Sequence, residues 1–263
     1  MKQRETREQG ILKELKENNR VYVSDMSAKY NVSEVTIRKD LIELEKNGKL
    51  KRIYGGAQPP ENVAMEPEMA SLIKTNMDAK RRIAKKAFQM IAPRDAILID
   101  ASSTLGQLVV EIQNHPEKPL TVITSSVAFA ATLAGLSHVE LIMLGGHVRG
   151  SINSVMGPIA METLKTIHAD KAFIGTSGID LKKGFTTQNI FECEVKRTMI
   201  DAAAQSFVLA DKSKINRVAL GNICPMGRVD YLITDFGFPE NMIEAINKTG
   251  TDVIVVSEED SQT

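Results

Sequence analysis

The sequence has few residues of the kinds that bind metals or form disulfides. Its 263 residues include 2 cysteines, Cys193 and Cys224, and 4 histidines, and none shows the short spacing of a metal site. We therefore predict no metal ion and no cofactor. So few thiols are typical of a protein of the reducing cytoplasm.

Long apolar segments are missing as well. No uninterrupted apolar run approaches the roughly 20 residues that cross a bilayer. The polar start, MKQRETREQG, is unlike a signal peptide. We expect a cytoplasmic protein without a membrane partner.

Net charge is zero over the whole chain but not over its parts. Residues 1–60 hold 13 Lys and Arg against 9 Asp and Glu, a net +4, while the remainder holds 20 against 24, a net −4. This asymmetry, in a chain long enough for two domains, indicates a basic nucleic-acid-binding module joined to a mildly acidic domain.

A helix-turn-helix pattern occupies residues 24–45. Two helical segments are interrupted at Asn31, and Ser24 and Ser33 stand where N-cap residues belong. The inner face predicted for the second segment consists of Val35, Ile37, Leu41, Ile42 and Leu44. A recognition helix presents its N-terminal residues to base edges and phosphates. The side chains expected to contact double-stranded DNA are Ser24, Ser33, Glu34, Thr36, Arg38 and Lys39.

Residues 49–56 alternate polar and apolar side chains before a glycine pair, which predicts the hairpin wing of a winged helix-turn-helix. Lys49, Lys51 and Arg52 in this wing are expected to contact DNA phosphates. An earlier helix over residues 4–18 would complete a three-helix core. The alternative is a helical bundle with a solvated basic face, but that would not explain why helix, turn and basic wing follow one another in this order.

Proline-rich residues 58–76 predict a linker. The expected domains are therefore a DNA-binding domain over residues 1–57 and an effector-binding domain over residues 77–257, followed by a flexible tail over residues 258–263. A helix is expected near the start of the second domain, over residues 77–91.

The second domain is predicted to be an open α/β fold with a mostly parallel sheet. Short, nearly continuous apolar segments alternate with helix-compatible stretches, as expected when helices cover both faces of a parallel sheet. The predicted strands are residues 96–99, 120–123, 139–143, 171–174, 206–209, 231–234 and 252–256. Ligands bind such sheets at the carboxyl ends of the strands.

Hydroxyl and glycine residues gather at these strand ends. After the first strand, Ser102, Ser103 and Thr104 begin a helix, where hydroxyl and amide donors and the helix dipole attract an anion. Asp100 would instead accept hydrogen bonds from a sugar hydroxyl. The alternative for Ser103 and Thr104 is helix capping alone. Further candidate effector contacts at later strand ends are Gly145, Gly146, Arg149, Gly175 and Lys214.

Together these motifs resemble those of DeoR-type transcriptional repressors (the DeoR/GlpR family). They are VSEVTIRKDLIELEKNGKLKRIYGGA at residues 32–57, LIDASST at 98–104, LGGHVR at 144–149, DKAFIGTSGID at 170–180, GFTT at 184–187 and LADKSK at 209–214. The resemblance implies a winged-helix DNA-binding domain followed by a sensor domain similar to ribose-phosphate isomerases. It also implies a repressor of a carbohydrate-utilisation operon, whose binding to operator DNA is altered by a phosphorylated sugar.

The sequence departs from the family pattern in three places. Lys39 stands where Arg is more common, which favours a phosphate contact over a guanine contact. Ser102 replaces the glycine of the usual Asp-x-Gly-Ser-Thr loop, and Ser125 replaces the asparagine of the usual Thr-Asn-Ser. The DNA-reading motif of the family also includes the position that Asp40 occupies in this sequence.

A charged segment after GFTT places Glu192 and Lys196 one helical turn apart. The pair is expected either to close over the effector, with Glu192 and Lys196 as polar contacts, or to form a solvent-facing ion pair. The solvent-facing interpretation is favoured.

Two other functions compete with this interpretation. A sugar-phosphate isomerase fused to a DNA-binding module would need a base, for which Asp100 or Glu192 is a candidate. The loop LGGHVRGSINSVMG offers no acid, so catalysis is not expected. An architectural DNA binder would leave the hydroxyl and glycine loops unexplained. A homodimer or homotetramer on paired half-sites is expected, with the helix over residues 78–91 transmitting effector binding.

Overall fold

The computed structural model describes residues 2–18, 20–59, 69–150 and 152–257. The chain forms two compact units, Met1–Asn62 and Val63–Thr263. The expected linker over residues 58–76 lies partly outside the described residues, and the expected tail over residues 258–263 lies wholly outside them.

The first unit is a three-helix core with a small antiparallel sheet. Its elements are α1 (Lys2–Asn18), β1 (Val21–Tyr22), α2 (Val23–Tyr30), α3 (Glu34–Lys46), β2 (Lys51–Ile53) and β3 (Gly56–Gln58). Strand β3 lies between β1 and β2 and pairs with both. Ile11, Ile37 and Leu41 are buried in its core, as their helical spacing predicted. The winged helix-turn-helix prediction is therefore confirmed.

The second unit is built around a parallel sheet. Its elements are α4 (Met69–Lys74), α5 (Met77–Gln89), β4 (Ala96–Ile99), α6 (Ser103–Asn114), β5 (Leu120–Thr124), α7 (Val127–Leu133), β6 (Val139–Met143), β7 (His147–Arg149), β8 (Ser154–Met156), α8 (Pro158–Lys165), β9 (Ala169–Gly175), β10 (Gly178–Asp180), β11 (Gly184–Thr187), α9 (Ile190–Asp201), β12 (Ala203–Leu209), β13 (Gly221–Cys224), β14 (Tyr231–Asp235), α10 (Glu240–Asn247) and β15 (Asp252–Val256). In the described residues, seven strands join in the order β15-β14-β12-β9-β4-β5-β6, and all six pairings are parallel. These are the seven strands that the sequence predicted.

Both faces of this sheet are covered. Along β4, Leu98 packs into one apolar cluster while Ile97 and Ile99 pack into the other, and all three side chains are fully buried. Alternate side chains thus enter different cores, which explains why the strand is apolar throughout rather than at every second residue.

The strand order reverses at β4. Strands β5 and β6 follow on one side of it, while β9, β12, β14 and β15 lie on the other. In open α/β sheets, ligands bind in the crevice outside the carboxyl ends of the strands at such a reversal. The loops after β4 and β9 are therefore where a ligand site is expected.

Two smaller sheets were not predicted. A hairpin of β7 and β8 folds back over the end of β5, where Val155 N donates to Ser125 O at 2.7 Å. Strands β10, β11 and β13 form a second antiparallel sheet. The hairpin matters for function because it brings Ser154, Val155 and Met156 to the carboxyl edge of the main sheet.

Candidate functional site

Asp100, at the end of β4, links β4 to β9 at the point where the strand order reverses. Its Oδ1 accepts a hydrogen bond from Ser102 N at 2.8 Å, and its Oδ2 accepts one from Gly175 N at 2.9 Å. A Cβ atom at Gly175 would lie 2.3 Å from the Cβ of Ser102, so this close approach requires glycine. The amide of Gly175, proposed from sequence as a ligand contact, is thus already engaged by Asp100.

Lys196, on α9, is buried against this carboxylate. Its Nζ forms an ion pair with Asp100, lies 3.0 Å from Glu192 Oε1 and donates to Gly175 O at 3.0 Å. Burial alone would lower the pKa of Lys196, but the carboxylates of Asp100 and Glu192 raise it above its ordinary value. The favoured prediction of a solvent-facing ion pair was wrong, because α9 places Lys196 over the end of β4 with only 2% of its side chain exposed.

A narrow pocket opens beside this cluster. Thr187 Oγ1 donates to Glu192 Oε2 at 3.0 Å nearby, and Ser154 Oγ donates to Ser125 Oγ at 3.4 Å. The residues that line it are Asp100, Ala101, Ser125, Ser154, Val155, Met156, Glu192, Val195 and Lys196. Sequence reasoning missed Ser154, since only the β7–β8 hairpin brings it to β5.

The three hydroxyl residues after β4, Ser102, Ser103 and Thr104, have different roles. Ser102 is the N-cap of α6, with its Oγ accepting a weak hydrogen bond from Leu105 N at 3.4 Å. The alternative that Ser103 and Thr104 are the capping residues was therefore wrong. Thr104 is buried, whereas Ser103 Oγ accepts a hydrogen bond from Lys80 Nζ at 3.0 Å.

Lys80 is a buried lysine that sequence reasoning overlooked. It lies in the first turn of α5, three and four residues before the fully buried Ile83 and Ala84, and its own exposure is 2%. Its Nζ donates to Leu72 O and Ser103 Oγ and forms no salt bridge within the described residues. Burial, with a smaller contribution from Lys214, lowers the pKa of Lys80 to about 8, and Asp211 opposes the shift. The helical position of Lys80 on an apolar face was the signal that could have revealed it.

Lys214 and Asp211 complete this group. Asp211 caps a short 3-10 helix, Lys212–Lys214, and its Oδ1 also accepts a hydrogen bond from Asn76 Nδ2 at 2.9 Å. Burial lowers the pKa of Lys214, partly offset by Asp211. Burial would raise the pKa of Asp211, but Lys214, Ser213 and Asn76 together hold it below its ordinary value. Two lysines and one carboxylate thus interact beside the N-terminal end of α6.

Gly145, Gly146 and Arg149 lie elsewhere. Gly146 has φ 142°, and a Cβ atom there would lie 2.9 Å from Met156 O, so it serves the turn into the β7–β8 hairpin. Arg149 pairs with Ser154 across that hairpin. These three residues are close in sequence to Ser154, Val155 and Met156, but they do not line the pocket themselves.

In the first unit, α3 presents its N-terminal residues at the surface. Ser33 is its N-cap, as predicted, and accepts a hydrogen bond from Thr36 N at 3.3 Å. Exposed Arg38 pairs with Glu34 at 2.5 Å, one turn apart. Val35 was predicted to face inward, but 58% of it is exposed, because Ile37 and Leu41 already define the buried face. The methyl groups of Val35 therefore share the surface of Arg38 and Lys39.

Two polar residues of the helix-turn-helix have other roles. Ser24 was predicted to be an N-cap, but α2 begins at Val23 and its N-cap is Tyr22, because β1 runs directly into the helix. Ser24 is exposed and donates to Asp25 Oδ1 at 3.0 Å. Asp40 is buried and pairs with Arg7 at 2.5 Å, which fastens α3 to α1.

The wing is a tight hairpin between β2 and β3. Lys51 and Arg52 are exposed on it, and Arg52 donates its N and Nε to Glu45 at 2.8 and 2.6 Å. Tyr54 stands at the tip and is fully exposed, a feature the sequence did not reveal. A Cβ atom at Gly56 would lie 2.0 Å from Val21 O, so glycine is required where β3 passes β1.

Comparison with known proteins supports the same division of the chain. Residues 7–63 match the DeoR-like helix-turn-helix domain, and residues 75–236 match the DeoR C-terminal sensor domain. A putative aga operon transcriptional repressor of Escherichia coli O157:H7 is 36% identical over 97% of this chain and 94% of that protein. The transcriptional repressor GlcR of Bacillus subtilis is 30% identical over 96% of both.

Among solved structures, ribose 5-phosphate isomerase A of Methanocaldococcus jannaschii is similar with a TM-score of 0.41 and 18% identity, covering 54% of this chain and 55% of the isomerase. The fold class of this chain follows from its own parallel sheet. No helix in the described residues is long and apolar enough to cross a membrane.

A winged helix with exposed basic residues, followed by an α/β domain with a polar site at its strand reversal, defines a DNA-binding transcriptional regulator with a sensor domain. The chain belongs to the DeoR family of such regulators.

Proposed function

We propose that this regulator represses a carbohydrate-utilisation operon and that its sensor domain binds a phosphorylated sugar. The observation that carries the proposal is the pair of lysines at the N-terminal end of α6, next to a pocket lined by carboxylate and hydroxyl groups. The relatives described as the aga operon repressor and the repressor GlcR support repression as the mode of action.

The phosphate of the ligand belongs beside Lys80, Ser103 and Lys214. The pKa of Lys80 is lowered because its charge is buried and repelled by Lys214, so a nearby anion would relieve an unfavourable interaction. The amide groups and dipole of the first turn of α6 attract the same charge. The two lysines and the helix dipole therefore favour an anion there, and the single carboxylate of Asp211 offsets only part of their positive charge.

The hydroxyl groups of the ligand belong at the opposite end, in the pocket beside Lys196. The two negative charges of Asp100 and Glu192 exceed the single positive charge of Lys196, which makes this end unsuited to phosphate. Ser125 and Ser154 add hydroxyl groups that both donate and accept. The chain thus offers an anion end and a polyol end, joined by residues 100–103.

The same contacts argue that the site does not catalyse isomerisation. A general base must be free to reach a carbon-bound proton of the substrate. Asp100 is held by Ser102 N, Gly175 N and Lys196, and Glu192 is held by Lys196 and Thr187, so both carboxylates are fixed in place. Their remaining lone pairs suit them to accept hydrogen bonds from ligand hydroxyl groups. We therefore propose a binding site without a catalytic role.

DNA is proposed to be contacted by the N-terminal end of α3 and by the wing. Ser33, Glu34, Thr36, Arg38 and Lys39 would face base edges and phosphates, Lys51 and Arg52 the backbone, and Ser24 the backbone from α2. A single winged helix makes few contacts, so we propose that a homodimer or homotetramer binds paired half-sites in the cytoplasm.

Thermal unfolding against a panel of sugar phosphates, each beside its unphosphorylated counterpart, tests the effector. A ligand that binds the folded state raises the unfolding temperature by mass action. Stabilisation by one phosphorylated sugar, without effect of its free sugar, is expected. If no member of the panel stabilises the protein, the proposed effector class is wrong.

A further inference from the structure

Lys80 bonds not only to the effector site but also to the helix that precedes it. Besides Ser103 Oγ, its ammonium donates to Leu72 O in α4. Carbonyls in the last turn of a helix lack partners within the helix, and a lysine is a favourable cap for them. Lys80 therefore caps α4 from the first turn of α5.

Within the described residues, α4 has other attachments, but they are limited: it lies beside α6, and Thr75 N donates to Leu72 O at 3.3 Å. The helix has six residues, none of them buried, and Met69 is the residue that packs partly against the apolar core. The corner after α4 is fastened by Asn76, which donates to Asp211 at 2.9 Å. Both polar attachments of this corner thus lead to residues of the proposed anion end.

In the sequence, α4 is the first described element after the DNA-reading unit. In sequence, residues 63–68 lie between the first unit, Met1–Asn62, and Met69, the first residue of α4. A change in the mobility of α4 therefore occurs close in sequence to the DNA-reading unit.

Lys80 has the hydrogen-bonding capacity to serve α4 and an anion together. An ammonium group donates three hydrogen bonds, and Leu72 O and Ser103 Oγ use two. A phosphate oxygen would take the third and would compensate the repulsion from Lys214. The ammonium would then remain charged, and its bond to Leu72 O would strengthen.

We propose that an anion held at the N-terminal end of α6 fastens α4 to the second unit through Lys80. Effector binding thereby sets the mobility of α4, the first described element after the DNA-reading unit. This inference rests on the proposed effector site and adds the route by which that site acts. Coupling of this kind typically changes affinities about 5- to 150-fold.

A nitroxide label on exposed Ala70, introduced as Ala70→Cys in the full chain, reports the mobility of α4. Selective labelling is feasible because Cys193 and Cys224 are buried. Inorganic phosphate and the panel of sugar phosphates are the probes, with ligand binding followed in parallel by thermal unfolding. Phosphate or the stabilising sugar phosphate should increase the immobilised fraction of the label.

Three variants separate the causes. With Lys80→Met, the label should be mobile with and without phosphate. Lys214→Met should leave α4 immobilised without ligand but unresponsive to phosphate, and it keeps the test open if Lys80→Met does not fold. Lys118→Met is the control, because Lys118 is a half-buried lysine that also donates to carbonyls, those of Phe88 and Ile91, away from the site.

The outcomes distinguish this inference from the proposed function. If a sugar phosphate stabilises the protein but leaves the label of the wild type unchanged, the route through α4 is wrong and the effector site stands. If Lys80→Met and Lys118→Met give the same label mobility, Lys80 does not hold α4. If no phosphate compound binds at all, the effector site and the coupling both fall.

Discussion

The ammonium nitrogen of Lys80 lies 3.0 Å from the hydroxyl oxygen of Ser103, at the first residue of the helix that follows β4. A second buried lysine, Lys196 of α9, packs against the end of β4, but it is paired with two carboxylates. Their pKa values shift in opposite directions for this reason. Lys80 is thus the lysine suited to a new anion, and Lys196 the one that organises the loops.

Replacing Lys80 should remove most of the affinity for phosphorylated ligands. A hydrogen bond to a charged group contributes about 1.5–3 kcal/mol, or roughly 10- to 150-fold in Kd. Calorimetric titration of Lys80→Met with the stabilising sugar phosphate should show a loss of this size. Lys118→Met should bind as the wild type does, and equal losses in both variants would mean that general destabilisation is responsible.

Ligand affinity should decline as the pH rises through about 8, the lowered pKa of Lys80. The charged form of Lys80 binds the anion, so loss of its proton weakens binding, while the phosphate itself is already largely dianionic above pH 7. Titrations between pH 7 and pH 9.5 measure the decline. It should be shallower in Lys80→Met, which lacks this titrating group, and an unchanged slope would contradict the assignment.

Asp100→Asn should destabilise the second unit strongly. The substitution leaves the buried ammonium of Lys196 with Glu192 as its remaining carboxylate, and breaking a buried ion pair costs about 3–5 kcal/mol. Urea denaturation measures the free energy of unfolding. Asp78→Asn, in an exposed pair with Arg81, should cost less than about 1 kcal/mol. Similar costs for the two variants would show that Asp100 is not a structural anchor.

Arg38→Ala should weaken operator binding by about 1–3 kcal/mol and leave stabilisation by the effector intact. Fluorescence anisotropy with operator DNA measures the first effect and thermal unfolding the second. Lys182→Ala removes the same charge from an exposed turn of the second unit and should bind DNA normally. If Arg38→Ala bound the operator as tightly as the wild type, α3 would not be the recognition helix.

Val35→Ala tests the apolar part of the same surface. Val35 is exposed, so its removal should change stability by no more than about 0.5 kcal/mol. A loss of affinity for the operator, without a matching loss for unrelated DNA, is expected if its methyl groups contact a thymine. Equal losses on both DNAs would leave Val35 without a role in specificity.

The sequence predicted the main sheet because each strand carries its own signal. Leu98 and its neighbours are apolar at every position, and burial on both faces demands that pattern. The β7–β8 hairpin has no such signal, since its strands have three residues each and Ser154 of β8 also pairs with Ser126, beyond the end of β5. Ser154 therefore could not be assigned to the pocket from sequence.

The two buried lysines show a further limit. A Glu and a Lys one turn apart give the same pattern on a surface as in a core, and the fate of Lys196 depends on Asp100, 96 residues away in sequence. Lys80, by contrast, carried a local signal, because it shares the apolar face of α5 with Ile83 and Ala84. The burial of Lys80 could therefore be predicted from its own helix, whereas the burial of Lys196 could not.

Operator binding by the full chain, measured with and without the stabilising sugar phosphate, tests the central claim most directly. DNA selected by the purified protein from a random-sequence pool supplies the operator. We predict that the sugar phosphate changes the Kd for this operator about 5- to 150-fold in the wild type and leaves it unchanged in Lys80→Met. An operator affinity that is the same with and without every phosphorylated sugar would contradict the account.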